Sequence, residues 1–158
     1  MSDFTLERDT EKQLARQIRH AAMDLLCRRE HSRQELLTKL SRRFNDCERA
    51  LIEQQLQRLV EDRLQSDERF VESFVNGRKR QGKGPARIRQ ELQQKGVSSY
   101  LISQCLEASR DEWNELALEV YLRKFGDTPV VDHKDRARRL RFMQYRGFDT
   151  QAIARLVA

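Results

Sequence analysis

Glycine and proline are scarce in this chain, six and two among 158 residues, while Leu, Glu, Gln, Arg and Ala, all good helix formers, abound. No stretch alternates apolar and polar residues over a strand's length, which removes half-buried β-strands from consideration. No apolar run approaches the ~18 residues of a membrane-spanning helix, and the N-terminus carries no signal-peptide pattern, so no membrane partner is expected. The three cysteines, Cys27, Cys47 and Cys105, form neither a CxxC pair nor a Cys/His ligand spacing, which argues against a metal centre. Each lies on or near an apolar helical face. They are expected to be buried free thiols in a reducing compartment, the cytoplasm.

Catalytic sets are missing as well. His20, His31 and His133 are scattered, and His31, between Glu30 and Ser32, sits at a helix start where turn chemistry accounts for it. Residues Gln81 to Pro85 lack the strand and the GK[ST] ending of a phosphate loop. No helix carries an exposed set of Asn, Gln and Arg suited to reading bases. The acidic residues interleave with Arg and Lys at helical spacing and read as solvated ion-paired faces. No catalytic, cofactor-binding or metal-binding residue is assigned, and the chain is not expected to be an enzyme or to need a cofactor.

What the chain has in excess is charge. Charged residues make up 35% against 38% hydrophobic, a thin supply for a spherical core, so an elongated and curved body is expected. The net charge of +6 favours a polyanionic partner, nucleic acid or an acidic protein surface.

Apolar residues recur at helical spacing in nine segments. Residues 1–9 show no periodicity and are expected to be a flexible N-terminus. From Thr10 the stripe Leu14, Ile18, Ala21, Ala22, Leu25 and Leu26 marks a first helix. Ser32 with Glu35 is a capping box for the second. Asn45 or Asp46 is expected to cap the third, Ser66 and Asp67 to open the fourth, and Gly84-Pro85 to start the fifth, where proline at the first helical position lacks only an unused N–H. Gly96 offers a left-handed stop. Ser98 or Ser99 caps the sixth helix, Ser109 with Glu112 is read as a second capping box for the seventh, Asp132 with Asp135 as a looser one for the eighth, and Asp149 caps the ninth.

The junctions Arg43-Phe44, Gly96-Val97 and Gly147-Phe148 recur about every 50 residues, each followed by apolar residues in a shared register. The fold is therefore expected to be all-α: three tandem three-helix units, 10–65, 66–108 and 109–158, forming an elongated, curved helical-repeat protein. A three-helix unit of this size is marginal alone, and neighbours can cover each other's apolar faces.

Two basic runs stand out within this frame. The first is Arg78, Lys79, Arg80, Lys83, Arg87 and Arg89, with Lys95 beyond. The second includes Arg136, Arg138, Arg139 and Arg141, flanked by Lys134 and Arg146. Guanidinium groups bind phosphate or carboxylate bidentately. These ten Arg and Lys residues are the candidate contacts to a filament or nucleic acid. Phe70, Phe74 and Trp113 fall at core spacing and do not interleave with the cations as a stacking platform, so backbone contacts or an acidic protein surface are expected in place of base reading.

An ordered set of motifs resembles the bacterial RecX family, regulators of the RecA recombinase. It comprises Arg29-Glu30-His31-Ser32 with Glu35-Leu36, Ser66-Asp67-Glu68-Arg69-Phe70, Gly82-Lys83-Gly84-Pro85 with Ile88, Glu91-Leu92 and Lys95-Gly96-Val97, and Arg146-Gly147-Phe148. Val71 stands where the family commonly has alanine, and the segment before Lys12 has no clear counterpart. The resemblance implies tandem three-helix units. It implies binding to the RecA–single-stranded-DNA filament along its groove, a block on extension, and lower ATPase, strand-exchange and co-protease activity. A weaker direct affinity for single-stranded DNA comes with it, and no catalytic residues. A monomer is expected. The competing reading is a sequence-independent DNA-binding helical protein acting without RecA.

Overall fold

The computed structural model describes residues 2–157. Among them are nine α-helices and no strand: α1 (Ser2–Arg28), α2 (Arg33–Arg43), α3 (Arg49–Glu61), α4 (Asp67–Arg80), α5 (Pro85–Gln94), α6 (Ser99–Ala108), α7 (Arg110–Phe125), α8 (His133–Arg146) and α9 (Thr150–Ala154). They follow one another in three sets of three, as the sequence register predicts. The chain groups into two compact units, one up to Phe70 and one from Val71, with the boundary inside α4.

In the first unit, α1, α2 and α3 pack against one another. Ile18, Ala21, Ala22, Leu36, Leu37, Leu40, Ile52, Leu56 and Leu59 form the core. On each helix these residues are three or four apart, so one stripe faces inward. Ser32 Oγ accepts from the Glu35 N–H and the Glu35 carboxylate accepts from the Ser32 N–H, the reciprocal cap read from the sequence. His31, just before it, is buried. Burial holds its pKa below the ordinary value, with Arg29 and Lys39 adding like-charge repulsion. The neutral ring holds the turn, with Nδ1 3.0 Å from the Arg29 carbonyl oxygen and Nε2 3.3 Å from Lys39 Nζ.

Three local expectations for this unit are corrected. The first helix, expected from Thr10, begins at Ser2 and runs through Thr10 without a break, Met1 lying outside the described residues. Extending an existing helix costs far less than nucleating one, so a run of Glu, Arg and Leu continues without an apolar face of its own. Arg8 over the Phe4 ring, 5.9 Å from its centroid, adds a pair one turn apart. The third helix starts later than Asn45 or Asp46, with Glu48 at its N-cap and no side-chain cap. Cys27 is exposed and Cys47 half-buried. Cys27 lies nine residues after the buried Ile18, about 180° around the helix.

The second unit holds the other two helix triplets. Val71, Val75, Ile88, Leu92, Ile102 and Leu106 are buried along α4, α5 and α6. A cluster of Ala117, Val120, Tyr121, Met143, Phe148, Ile153 and Val157 fills the space among α7, α8 and α9. Trp113 is buried where α7 begins and its Nε1 donates to the Leu106 carbonyl. The capping box expected at Ser109 and Glu112 does not form. Ser109 Oγ accepts from Lys79 Nζ at 2.7 Å, and Glu112 pairs with the same ammonium at 2.6 Å. Cys105, on α6, is half-buried rather than buried.

The two triplets meet backbone to backbone. The Gly84 N–H donates to the Arg146 carbonyl at 2.7 Å, and the Ala86 N–H to the Gly147 carbonyl at 3.0 Å. A Cβ on Gly84 would lie 2.5 Å from the Gly147 carbonyl atoms. Gly147 is left-handed, with φ +99°, and a Cβ there would lie 2.5 Å from the Arg87 Cβ. Both positions therefore exclude any side chain, for space at the first and for space and backbone conformation at the second. Gly84→Ala is expected to destabilise the second unit by ~1–3 kcal/mol. The check is a lower midpoint in denaturant unfolding followed by fluorescence of the single Trp113. An unchanged midpoint would mean that the triplets do not depend on this contact.

Candidate partner-binding surface

The first basic run leaves the end of α4 and enters α5. Its cations divide into those committed to the fold and those that are not. Arg78 Nε donates to Glu91 Oε2 at 2.6 Å, a second Arg78 nitrogen donates to Gln81 Oε1, and the guanidinium lies 4.6 Å from the Phe74 ring centroid. Arg87 Nε donates to the other Glu91 oxygen at 3.3 Å. Burial pushes the Glu91 pKa up, but the hydrogen bonds from Arg78 and Arg87 outweigh it and hold the carboxyl below its ordinary value. Lys79 is half-buried, held by Ser109 and Glu112 and lying 5.0 Å from the Trp113 ring centroid. Arg89 is exposed and donates to Ser103 Oγ. Among the described residues, the Arg80 and Lys83 side chains have no hydrogen bond or ion pair. Arg80 is exposed and Lys83 half-buried. Burial lowers the Lys83 pKa, and the cations of Arg87 and Arg146 lower it further.

The second run lies on α8. Asp132 Oδ1 caps the helix by accepting from the Asp135 N–H at 2.8 Å, and Asp135 accepts in turn from the Val131 N–H. Arg138 donates to Asp135 at 2.8 Å while remaining largely exposed. The Arg136 and Arg141 side chains are exposed with no hydrogen bond or ion pair among the described residues.

Arg139 differs from the sequence expectation of an outward contact. It is 3% exposed. One terminal nitrogen donates to Tyr121 Oη and to the Thr128 carbonyl, both at 2.8 Å. The other lies 3.3 Å from the Pro129 carbonyl and 3.0 Å from Asp135 Oδ2. The guanidinium also lies against the Tyr121 and Phe125 rings. Its charge thus ties the α7–α8 loop to both helices. From sequence it looked like one cation in a run, because the i, i+4 relation to Asp135 does not reveal which side of α8 is covered. Hydrogen bonds from Arg138 and then Arg139 hold the Asp135 carboxyl down to about 2, against the ordinary 3.8.

The fold also brings together residues the sequence keeps apart. Arg87 Nη1 donates to the Tyr145 carbonyl at 3.3 Å, and its guanidinium lies 4.9 Å from the Tyr145 ring centroid. Arg146 Nη1 donates to the Gln81 carbonyl at 3.0 Å. Lys83, Arg87, Tyr145 and Arg146 therefore share one face of the second unit. Tyr145 was not among the candidates, because 58 residues separate it from Arg87. Among the described residues no group of three or more His, Cys, Asp or Glu side chains could hold a metal ion, and no helix is long and apolar enough to cross a membrane.

Residues 66–106 match the second three-helix domain of RecX and residues 111–157 the third. Over 141 residues the chain is 48% identical to Regulatory protein RecX of Pseudomonas syringae pv. tomato, covering 89% of this chain and 90% of the relative. It is 46% identical to that of Pseudomonas putida KT2440, covering 89% of each. A crystal structure of a regulatory protein RecX superposes with a TM-score of 0.80 at 20% identity, over 98% of this chain and 76% of that one. RecX from Lactobacillus salivarius superposes at 0.76 and 20% identity, over 90% and 94%. These last two likenesses concern the fold. The helical architecture defines a tandem three-helix protein with a cationic surface. The sequence identity is decisive for the family: the chain belongs to the RecX family of regulatory proteins.

Two outcomes test the roles on α8. Arg139→Leu is expected to lower the thermal midpoint by roughly 5 °C or more, since it removes the partner of the buried Tyr121 hydroxyl and one of the two guanidinium groups on Asp135, whereas Arg136→Leu leaves the midpoint unchanged. Equal effects in circular-dichroism melts would contradict the buried role. The depressed Asp135 carboxyl contributes stability that is complete above its unfolded pKa of 3.8 and is lost as pH falls toward about 2. Asp135→Asn is expected to flatten the melting temperature's dependence on pH in that window, relative to the parent chain.

Proposed function

We propose that this protein is a negative regulator of the RecA recombinase. It binds the RecA–single-stranded-DNA filament, blocks its extension, and thereby lowers ATPase, strand-exchange and co-protease activity. The observation that carries this reading is membership of the RecX family of regulatory proteins across 89% of the chain. The surface chemistry supports it: Arg80, Lys83, Arg136 and Arg141 belong to one compact unit and have no internal ion pair among its described residues. Such cations are available to acidic protein surface or to DNA phosphate. In this reading the protein acts as a monomer by occupancy and not by catalysis, works in the cytoplasm, and has a weaker direct affinity for single-stranded DNA. Its three helix triplets act as successive contact modules. Many modest contacts along one body make binding tight and salt-sensitive.

The test is RecA ATPase on single-stranded DNA, with the protein added before or after filament assembly. Inhibition is expected in both orders, and stronger when addition precedes assembly. Arg80→Glu combined with Lys83→Glu is expected to weaken inhibition at least ~10-fold in concentration and leave helicity unchanged. Arg78 and Lys79 are kept native because they hold Glu91, Ser109 and Glu112. Full inhibition by the double variant would remove this face from the mechanism. Equal binding to DNA alone and to RecA-coated DNA at matched salt would favour a DNA-binding protein acting without RecA.

A further inference from the structure

Tyr145 is 71% exposed, yet it is not loose. The Arg87 guanidinium lies 4.9 Å from its ring centroid, and an Arg87 nitrogen donates to its backbone carbonyl. Arg87 is itself held through Nε by Glu91. The backbone beneath is pinned by the Gly84 and Ala86 N–H groups on the Arg146 and Gly147 carbonyls. The ring is thus presented to solvent from a rigid base. It contributes little burial to the fold, so packing does not account for it.

The surroundings are cationic. Lys83 and Arg146 share the face, and the neighbouring carboxylate of Glu91 is already divided between Arg78 and Arg87. The Lys83 ammonium has no hydrogen bond or ion pair among the described residues, and its pKa is depressed by burial, then by Arg87 and Arg146. An anion placed there relieves that repulsion. A rigid, exposed ring beside cations suits a ligand that offers both a flat π-face and a negative backbone. An acidic peptide offers only the charge. A duplex hides its base faces within the stack, whereas a single strand presents base and phosphate together.

We propose that Tyr145, steadied by Arg87 and flanked by Lys83 and Arg146, is a stacking platform for one base of a single-stranded nucleic acid. This deepens the reading above and rests on the second unit meeting nucleic acid, naked or within a filament. The ring stacks on the base, and the two flanking cations take the adjoining phosphates. Preference for single strands over duplex then resides at this ring.

The test is a fluorescence-anisotropy titration of the full chain with a labelled oligothymidylate, the same strand with abasic sites, and a duplex, all at one salt concentration. Tyr145→Ala is expected to weaken binding to the intact strand by roughly 5- to 150-fold, the loss of one stacked base. Tyr145→Phe stays within about 2-fold. The abasic strand and the duplex bind Tyr145→Ala and the parent chain alike. Lys83→Ala weakens intact and abasic strands equally and lowers the salt slope by about one. The proposal is overturned if Tyr145→Ala binds the intact strand like the parent chain, or loses as much on the abasic strand. It is also overturned if the parent chain binds polyglutamate and no oligonucleotide. The RecA ATPase assay is read separately: failure to inhibit, with base-dependent binding retained, rejects the RecA reading alone.

Discussion

The contact of Gly84 with Gly147 decides the geometry of the second unit. Two chain segments more than sixty residues apart approach until no Cβ fits between them, and two backbone hydrogen bonds close the seam. Everything nearby takes its position from this approach. The N-terminus of α5 is set against the end of α8, so Arg87 reaches the Tyr145 ring and Arg146 reaches the Gln81 carbonyl. A side chain at either glycine would separate the helix ends and scatter the cations between them. The same seam joins the second and third triplets within the unit that begins at Val71.

The protein's positive charge divides between two uses. Some cations hold the fold: Lys79 bridges α4 to the start of α7 through Ser109 and Glu112, Arg78 and Arg87 share Glu91, and Arg139 gathers the oxygens of the α7–α8 loop. Others have no such commitment, and these are the ones a partner can use. The division is physical. A guanidinium removed from water must find acceptors for its N–H groups, and the terminal nitrogens of Arg139 find four oxygens within their own unit, with two rings against the guanidinium and Nε alone left without a partner among the described residues. A cation at the surface keeps its water until a polyanion displaces it. For a RecX-family regulator, the surface available to a partner is therefore smaller and more local than a count of basic residues implies.

Much of the architecture was legible from residue spacing. The stripes Ile18–Ala22–Leu25, Leu36–Leu40 and Ile52–Leu56–Leu59 pack as one core because each runs along a single helical face. Gly96 and Gly147 stop their helices in left-handed conformations, and Ser32, Ser98, Asp132 and Asp149 cap theirs as read. Ser109 failed as a capping box although it has the same sequence pattern as Ser32. Its hydroxyl and Glu112 both had a stronger partner in Lys79, thirty residues away. The exposure of Cys27 and the helical start at Ser2 were missed for lack of a signal: helix phase and helix propagation do not appear in a residue's identity.

The candidate surface was legible only in part. Sequence alone determined the helical class, the nine helices among the described residues, the threefold register and the excess of cations, since local propensity and apolar period are properties of neighbouring residues. It also determined the family, because an ordered set of motifs survives without coordinates. Tertiary structure decided which cations point outward, which are consumed, and that Tyr145 lies against Arg87. Those outcomes depend on contacts between residues remote in the chain, and a one-dimensional period carries no information about what a second helix places opposite it.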